Sequence, residues 1–500
     1  MSDITVVFAG APSPPDTIQN FFPPIAPEID IFVDPKPTPA EQQTVLNLVA
    51  ALTHRYRPAA PHFTLHALTR DQKTPTVSPD PFRRSVVVRE VGDPRIELIP
   101  GFPVPYINIT GEGERLEEQS NLFRENLIEF AQTDRTKVES FTSRPVSPPQ
   151  VSTFGQIGAA GTAAALGQGK ISLDLSPVLF SESQPASVNI RLIADHTPVQ
   201  ENEKGTLTVA YGNTALGVYE LDNSGHLDTR LTIPSELAVR STDLALSVNY
   251  QPAPGMCNAR TEPMLFQVSP ESTITLNRTD SGAMGGFDSL PRGFASSFQV
   301  ASDNSDPEAL HHAVQVVSLL QYASKAELHP VLVDLETAAR DGSGAVIIAQ
   351  AESVNRLGLN PPVTTTGQIS DIEARNQALV NFPGGLASIQ AFAHINRTVL
   401  LITTSGDWAL LKPLFVYLAD LKNGWADLKG DVLFAGAAGK PETLSIRASS
   451  PHSSPIPHRS NRLLWPALIT AMVVVICSAL TLYLVRRHNT RNSAGDNRST

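Results

Sequence analysis

Apolar and polar positions along this chain follow three rhythms, and each rhythm predicts a different kind of element. Near the start, Ile29-Asp30-Ile31-Phe32-Val33 predicts a strand, and Val45, Leu48, Val49 and Leu52 follow at i, i+3, i+4, i+7. That spacing lays one apolar stripe along a helix, with Thr38 as its N-cap and Pro39 at its first position. Ser85-Val86-Val87-Val88 and Tyr106-Ile107-Asn108-Ile109-Thr110-Gly111 predict further strands. An unbroken apolar run such as Val86-Val87-Val88 is expected where helices cover both faces of a sheet. The start of this pattern returns 268 positions later, Phe22 against Leu290, and over about thirty residues the repeat reads without a gap. Its second copy holds Phe298-Gln299-Val300, then Asp306-Pro307 as cap, then Ala313, Val316, Val317 and Leu320, then the strands Ala345-Val346-Ile347-Ile348 and Val399-Leu400-Leu401-Ile402-Thr403-Thr404. Strands alternating with helices predict an open, mostly parallel α/β domain in each copy, over residues 13–148 and 281–445.

Between the copies, in residues 149–280, the period is two. Ile171–Leu175, Val188–Leu192, Leu207–Tyr211 and Leu244–Tyr250 alternate apolar with polar, and breaks such as Asp222-Asn223-Ser224-Gly225 separate them. This predicts an antiparallel β-sandwich. The Gly- and Ala-rich run from Gly155 to Gly169 reads as a linker or loop.

The third rhythm is unbroken. Leu463 to Val485 carries no charge and ends at Arg486 and Arg487. At about 1.5 Å per residue such a helix covers the roughly 30 Å core of a bilayer, and Trp465 and Tyr483 sit where interfacial aromatics belong. A Ser-, Pro- and His-rich linker, residues 446–462, leads into this transmembrane segment, and residues 486–500 form a tail. Arg486, Arg487, Arg491 and Arg498 after the span outnumber Arg447, Arg459 and Arg462 before it, a slight bias toward a cytoplasmic tail.

With 500 residues, more than one core is required. A net charge of −11 argues against a nucleic-acid surface, which needs a basic excess. Cys257 is alone outside the predicted span and Cys477 lies within it, so neither an intramolecular disulfide nor a Cys-based metal site is expected. Met1-Ser2-Asp3-Ile4 has neither the basic nor the apolar region of a signal peptide, which taken literally describes a tail-anchored protein with its body in the cytoplasm.

The order α/β, sandwich, α/β, C-terminal span resembles the membrane-anchored accessory subunit of bacterial cellulose synthase, the cyclic-di-GMP-binding regulatory protein family. The likeness rests on Thr153-Phe154-Gly155-Gln156-Ile157-Gly158 opening the sandwich and on Cys257, Pro263, Phe266, Val268 and Ser272-Thr273-Ile274-Thr275-Leu276 closing it. Trp425-Ala426-Asp427-Leu428-Lys429-Gly430-Asp431-Val432 matches the family's Trp-containing segment near the anchor. The resemblance implies two flavodoxin-like α/β domains flanking one jelly-roll-like, carbohydrate-binding-like sandwich, and one C-terminal transmembrane helix. It implies a non-catalytic subunit on the cell membrane, its body extracytoplasmic and its tail cytoplasmic. The partner would be a membrane glycosyltransferase that polymerises glucose from UDP-glucose, and the emerging glucan would be guided outward. The family's first sandwich and signal peptide have no counterpart here, and Ile4-Thr5-Val6-Val7-Phe8, within residues 1–12, reads as a remnant strand. A gene start placed too late, or a truncated gene, is the expectation.

Candidate chemistry is sparse. A dinucleotide site would need G-x-G-x-x-G after the first strand, but Asp34-Pro35-Lys36-Pro37-Thr38-Pro39 stands there, and Gly111-Glu112-Gly113-Glu114 would repel anions. No P-loop and no G-x-S-x-G elbow occurs, and Ser343 reads as a turn. His311 and His312 are adjacent on a helix, so they point apart and read as a solvated pair. Neither catalytic, cofactor nor metal residues are assigned. The R-x-x-x-R arm combined with a D/N-x-S-x-x-G loop that would bind cyclic di-GMP is missing, so that signal is assigned to the partner. Sugar contact needs aromatic faces, and Tyr211, Tyr219 and Tyr250 in the sandwich are the candidates. The alternatives are a stand-alone polysaccharide-binding surface protein and a tail-anchored α/β enzyme.

Overall fold

The computed structural model describes residues 13–446 except 102–103, 125, 142–149, 176–178, 180–184, 213, 239–241, 254–261, 279–284, 295–296, 304–306, 325, 365–367, 371–376, 380–383 and 422–423. These residues belong to one compact unit, Met1–Arg447. The predicted remnant strand, the linker from residue 447 onward, the transmembrane run Leu463–Val485, the tail and Cys257 lie outside the described residues. Among the described residues no helix is long and apolar enough to cross a membrane. The described chain is rich in strands, in several sheets, with few helices.

The first copy contains β1 (Glu28–Val33), α1 (Pro39–Tyr56), β2 (His62–Ala67), β3 (Arg83–Ile99), β4 (Tyr106–Gly111), α2 (Glu114–Gln119) and β5 (Arg135–Thr136). Its sheet runs β2-β1-β3-β4, and β1 is parallel to both neighbours. The long β3 has two legs. Along the first, Val86, Val87 and Val88 face Ile107, Asn108 and Ile109 in rising order. After a bend at Gly92, Arg95 to Ile99 face Thr110 to Tyr106 in falling, antiparallel order. A short bend thus replaces a helical crossover, and both α1 and α2 pack into one core on one face. The other face is covered by a loop around Val77, over Phe32, Leu68, Val87 and Tyr106. The expectation of helices on both faces therefore fails in this half.

The sandwich comprises β6 (Val151–Thr153), β7 (Thr162–Ala165), β8 (Gly167–Asp174), β9 (Pro185–His196), β10 (Lys204–Tyr211), β11 (Thr214–Leu221), β12 (His226–Pro234), α3 (Ser235–Ala238), β13 (Asp243–Gln251), β14 (Met264–Val268) and β15 (Thr273–Arg278). One sheet runs β11-β10-β13-β8; the other runs β6-β15-β9-β14-β7, with β12 beside β9. The Gly- and Ala-rich run read as a linker instead forms β7 and the start of β8. Small residues are required there by the close approach of neighbours: a Cβ on Gly161 would stand 2.5 Å from the Ile171 side chain.

The second copy has β16 (Ser297–Ser302), α4 (Pro307–Ala323), β17 (His329–Leu332), α5 (Leu335–Arg340), β18 (Ala345–Gln350), α6 (Ala351–Leu357), the small pair β19 (Gln368–Ser370) and β20 (Gln377–Leu379), then β21 (Leu386–His394), β22 (Arg397–Thr404), α7 (Lys412–Asp420), β23 (Val432–Gly436) and β24 (Glu442–Leu444). Its sheet runs β17-β16-β18-β22-β21-β23-β24, parallel from β17 to β22. Here helices do cover both faces: α4 and α7 join the large core, and α5 and α6 cover the face bearing Ala301, Ile347, Ala349, Val399 and Leu401. The strands β2, β1 and β3 of the first copy correspond to β17, β16 and β18 of the second, but not without a gap. Ile31 faces Val86 and Leu65 as Val300 faces Val346 and Leu332, so the strands correspond at an offset one residue larger than the helices do. An ungapped register would turn every core side chain of the strand to the wrong face.

α1 and α4 pack on each other in one shared core; the side of α1 that carries Thr53 and His54 meets the side of α4 that carries Ser318 and Gln321, and the apolar stripe of each helix lies on its other side. Each fully buried aliphatic side chain contributes about 1.5–3 kcal/mol. A polar staple joins the halves beside this core. Arg124 meets Glu327 at 2.9 Å, and its Nη2 donates to Nδ1 of His329. Burial, and then the Arg124 charge, hold the His329 imidazole down at about 4 from an ordinary 6.5. Between those values the unfolded chain takes up a proton that the folded chain refuses. Stability is complete above pH 6.5 and falls as pH drops toward 4, by roughly 3 kcal/mol. Urea unfolding at pH 7 and pH 4.5 checks this: His329→Gln is expected to flatten the difference.

The β21–β22 hairpin turns on Ile395 and Asn396, both with positive φ (49° and 57°). A β-branched residue is costly in that region. Because Ile395 is exposed, Ile395→Gly is expected to raise stability by about 1 kcal/mol, read as a higher thermal midpoint; an unchanged or lower midpoint would contradict the strain.

Candidate functional site

In an open parallel sheet the natural ligand crevice lies beyond the carboxyl ends of the strands, where the chain order reverses. In the first half that point lies between β1 and β3. It holds a small cavity of about 100 Å³ lined by Asp34, Glu41, Leu68, Arg70, Arg89, Glu90 and Val91. The N-terminus of α1 opens there and would attract an anion, but the chain supplies its own. Glu41 Oε2 accepts from the Thr38 N–H (2.9 Å), completing a capping box in which the Thr38 hydroxyl accepts from the Glu41 N–H. Glu41 Oε1 accepts from the Glu90 N–H (2.9 Å). The Glu90 carboxylate takes the Thr38 hydroxyl and the Gly113 N–H, which hold it below the usual carboxylate range. Two carboxylates fill the place where a phosphate would bind. Sequence reasoning noted Asp34 and the acids around Gly113 but missed Glu41 and Glu90, which only the folded register brings together. The S/T-x-x-E spacing of Thr38 and Glu41 was the available signal.

Asp30 is a second charged centre the pattern did not mark. It is buried on β1 and accepts from Arg83 Nη2 and from His66 Nε2, each at 2.6 Å. Burial pushes the Asp30 carboxyl up, but Arg83 and His66 outweigh it and keep it below its ordinary value. Arg83 spans both carboxylate oxygens, so Asp30 ties β1, β2 and β3 together.

His311 and His312 are not a solvated pair. His312 is buried, stacked on Phe415 at 5.4 Å and tilted against Trp408 at 5.2 Å. Burial lowers the His311 pKa. Among the described residues no group of three His, Cys, Asp or Glu side chains is placed to hold a metal. Ser343 lies in a turn before β18, its carbonyl accepting from Arg397.

In the sandwich, strand register puts all three candidate tyrosines on the inner face of the four-stranded sheet. Tyr211 stands opposite Leu244, Tyr219 opposite Leu207, and Tyr250 opposite Gly205. Tyr211 is only 2% exposed, and burial pushes its phenol up to about 12 beside Arg292. Tyr250 is buried, and Tyr219 is half-buried against the core. None of the three lies on the outer face of its sheet. Among the described residues, neither outer sheet face carries a Phe, Tyr or Trp.

The two outer faces differ in how their polar groups are used. On the larger sheet they pair with each other: Arg191 takes both oxygens of Asp228, Thr232 donates to Asn189 (2.7 Å), Asn277 donates to Ser187 (2.8 Å), and His226 meets Asp195 (2.9 Å). On the four-stranded sheet they form rungs: Thr206 beside Asn249 and Gln168, Thr208 beside Ser247 and Lys170, Ala210 beside Ala245 and Ser172. Among the described residues, the side chains of Gln168, Ser172, Thr206, Thr208, Ser247 and Asn249 make no hydrogen bond to the rest of the protein. Their hydroxyls and amides remain available on a flat face.

No protein-family model and no curated protein matches the chain. Among solved structures, the chain is similar to the CBM22-1 xylan-binding domain of Paenibacillus barcinonensis Xyn10C, with 14% identity over 24% of this chain and 84% of that one, at a TM-score of 0.16. It is similar to TmCBM61 in complex with β-1,4-galactotriose, with 10% identity over 26% and 88% of the two chains and a TM-score of 0.14. A CBM4 structure matches with 9% identity over 25% and 85%, at a TM-score of 0.15.

Proposed function

We propose that this chain is a non-catalytic, membrane-tethered accessory subunit of a glucan synthase, and that it guides the polymer across the outer face of its four-stranded sheet. The observation that carries this reading is the set of unspent hydroxyl and amide groups on Thr206, Thr208, Ser247, Asn249, Gln168 and Ser172. Polymer hydroxyls can exchange hydrogen bonds with such a face. Without an aromatic platform, each contact is weak. A polymer that must keep moving calls for that: many small attachments and no deep pocket. The order of elements and the motifs around Phe154, Phe266 and Trp425 support placing the chain beside a membrane glycosyltransferase, with two flavodoxin-like halves and an anchor following residue 446. The carboxylates that fill the α1 N-terminus support a scaffold role over nucleotide chemistry, and leave cyclic di-GMP to the partner.

Affinity electrophoresis of the full chain through gels containing a soluble β-glucan tests the sugar contact. Retardation is expected. Thr206→Val with Thr208→Val removes two hydroxyls and keeps β-branched shape, so binding should weaken about tenfold. Equal retardation of the variant, or none for the native chain, would reject this face as the glucan surface. Recovery of a glycosyltransferase on the purified full chain tests the assembly separately.

A further inference from the structure

The two copies treat their edge strands differently, and the difference leaves a binding slot. In the second copy, β17 is closed by α1. Gln43 Nε2 donates to the Pro330 carbonyl (2.8 Å) and Gln43 Oε1 accepts from the Leu332 N–H (2.6 Å). One residue of a parallel neighbour strand would make that same pair of bonds opposite Val331. A side-chain amide thus stands in for a missing strand. In the first copy the corresponding edge is β2, where Leu65 takes the place of Leu332 and Phe63 that of Pro330. The residue at the Gln43 position is His311 on α4. It makes no such bridge, and among the described residues the Phe63 carbonyl and Leu65 N–H have no hydrogen-bond partner.

Space follows the open edge. Where β2 begins, Pro61 and Phe63 face Val314, Leu319 and Tyr322 of α4 and Phe415 of α7 across a cleft of about 460 Å³. Toward its end, Leu65 and Ala67 face Leu310 and His311 across about 360 Å³, with the carboxylates of Asp34 and Glu308 on the wall. Asp34 keeps Arg70 at 3.4 Å. One end of this trough is apolar and the other carries acids.

We propose that β2 accepts an added strand, an extended segment of a partner protein with apolar side chains toward Phe63 and Tyr322 and a cationic residue toward Asp34 and Glu308. Outward-facing backbone groups alternating along an edge select a polypeptide backbone, and the trough walls select its side chains. This surface is separate from the glucan face and does not depend on it.

The test uses the full chain and the synthetic probe peptide Val-Thr-Val-Thr-Val-Lys. Saturable binding is expected, together with slowed hydrogen exchange at the Leu65 and Ala67 amides. The same peptide N-methylated at alternate residues should lose at least tenfold in affinity. Ala67→Pro removes an outward N–H from an exposed edge position, where proline is tolerated; it should fold normally and lose binding. His311→Gln offers the amide that closes β17, so it should lower probe affinity and raise the thermal midpoint. Equal affinity for the N-methylated probe, undiminished binding to Ala67→Pro, or no binding by the native chain would overturn the proposal. So would a dimer of the native chain that Ala67→Pro dissociates, which would assign the edge to a second copy.

Discussion

Arg124→Ala lowers the unfolding free energy by about 3–5 kcal/mol, because it strands a charge rather than merely deleting a contact. The side chains of Arg124 and Glu327 are 9% and 11% exposed, and the guanidinium also reaches Asn121 and His329. Without it the Glu327 carboxylate keeps its desolvation and loses its counter-ion. The two residues belong to different halves, so the loss falls on the seam that joins them. Urea unfolding of Arg124→Ala, of Glu327→Gln and of the pair measures it. The double variant should recover part of the loss, since removing both charges removes the uncompensated one. A loss below 1 kcal/mol for Arg124→Ala would show the pair to be solvent-screened.

Glu41→Ala is expected to cost about 2–4 kcal/mol. Glu41 is 1% exposed, and its two oxygens serve the backbone N–H groups of Thr38 and Glu90. Each donor left without an acceptor in a buried position costs about 1–3 kcal/mol. Glu41→Gln keeps one carbonyl oxygen and should fall between. Amide exchange at Glu90 is the specific readout: it should speed up in Glu41→Ala beyond the change in global stability. Unchanged exchange at Glu90 would mean that water replaces the carboxylate and that the α1 N-terminus is more open than described.

Local chemistry was legible in the chain. The caps at Thr38-Pro39 and the stripes on both repeat helices appear where spacing predicted them, and the alternating runs of the sandwich are strands. Misreadings arose where a three-dimensional relation decides the outcome. The repeat looked ungapped because helix and strand offsets differ by a single residue, which similarity alone does not register. Gly155 to Gly169 looked like a linker because small residues mark loops as well as tightly packed strands. His312 looked solvated because nothing local announces Phe415 and Trp408. At the site, the acids Asp34 and Glu112 were visible, whereas Glu41 and Glu90 meet only through the pairing of β1 with β3. The tyrosines were found as residues, but their side of the sheet follows from register.

The shared core between α1 and α4 has a consequence for how the chain is made. The side of α1 that meets α4 leaves the ribosome early, and its mate comes only after the whole sandwich has been translated. At about 5–20 residues per second that wait lasts on the order of tens of seconds. Throughout it, the side of α1 that carries Thr53 and His54 lacks the surface that finally covers it. A nascent chain in this condition is a client for a holding chaperone, and synthesis speed through the sandwich sets how long that protection must last.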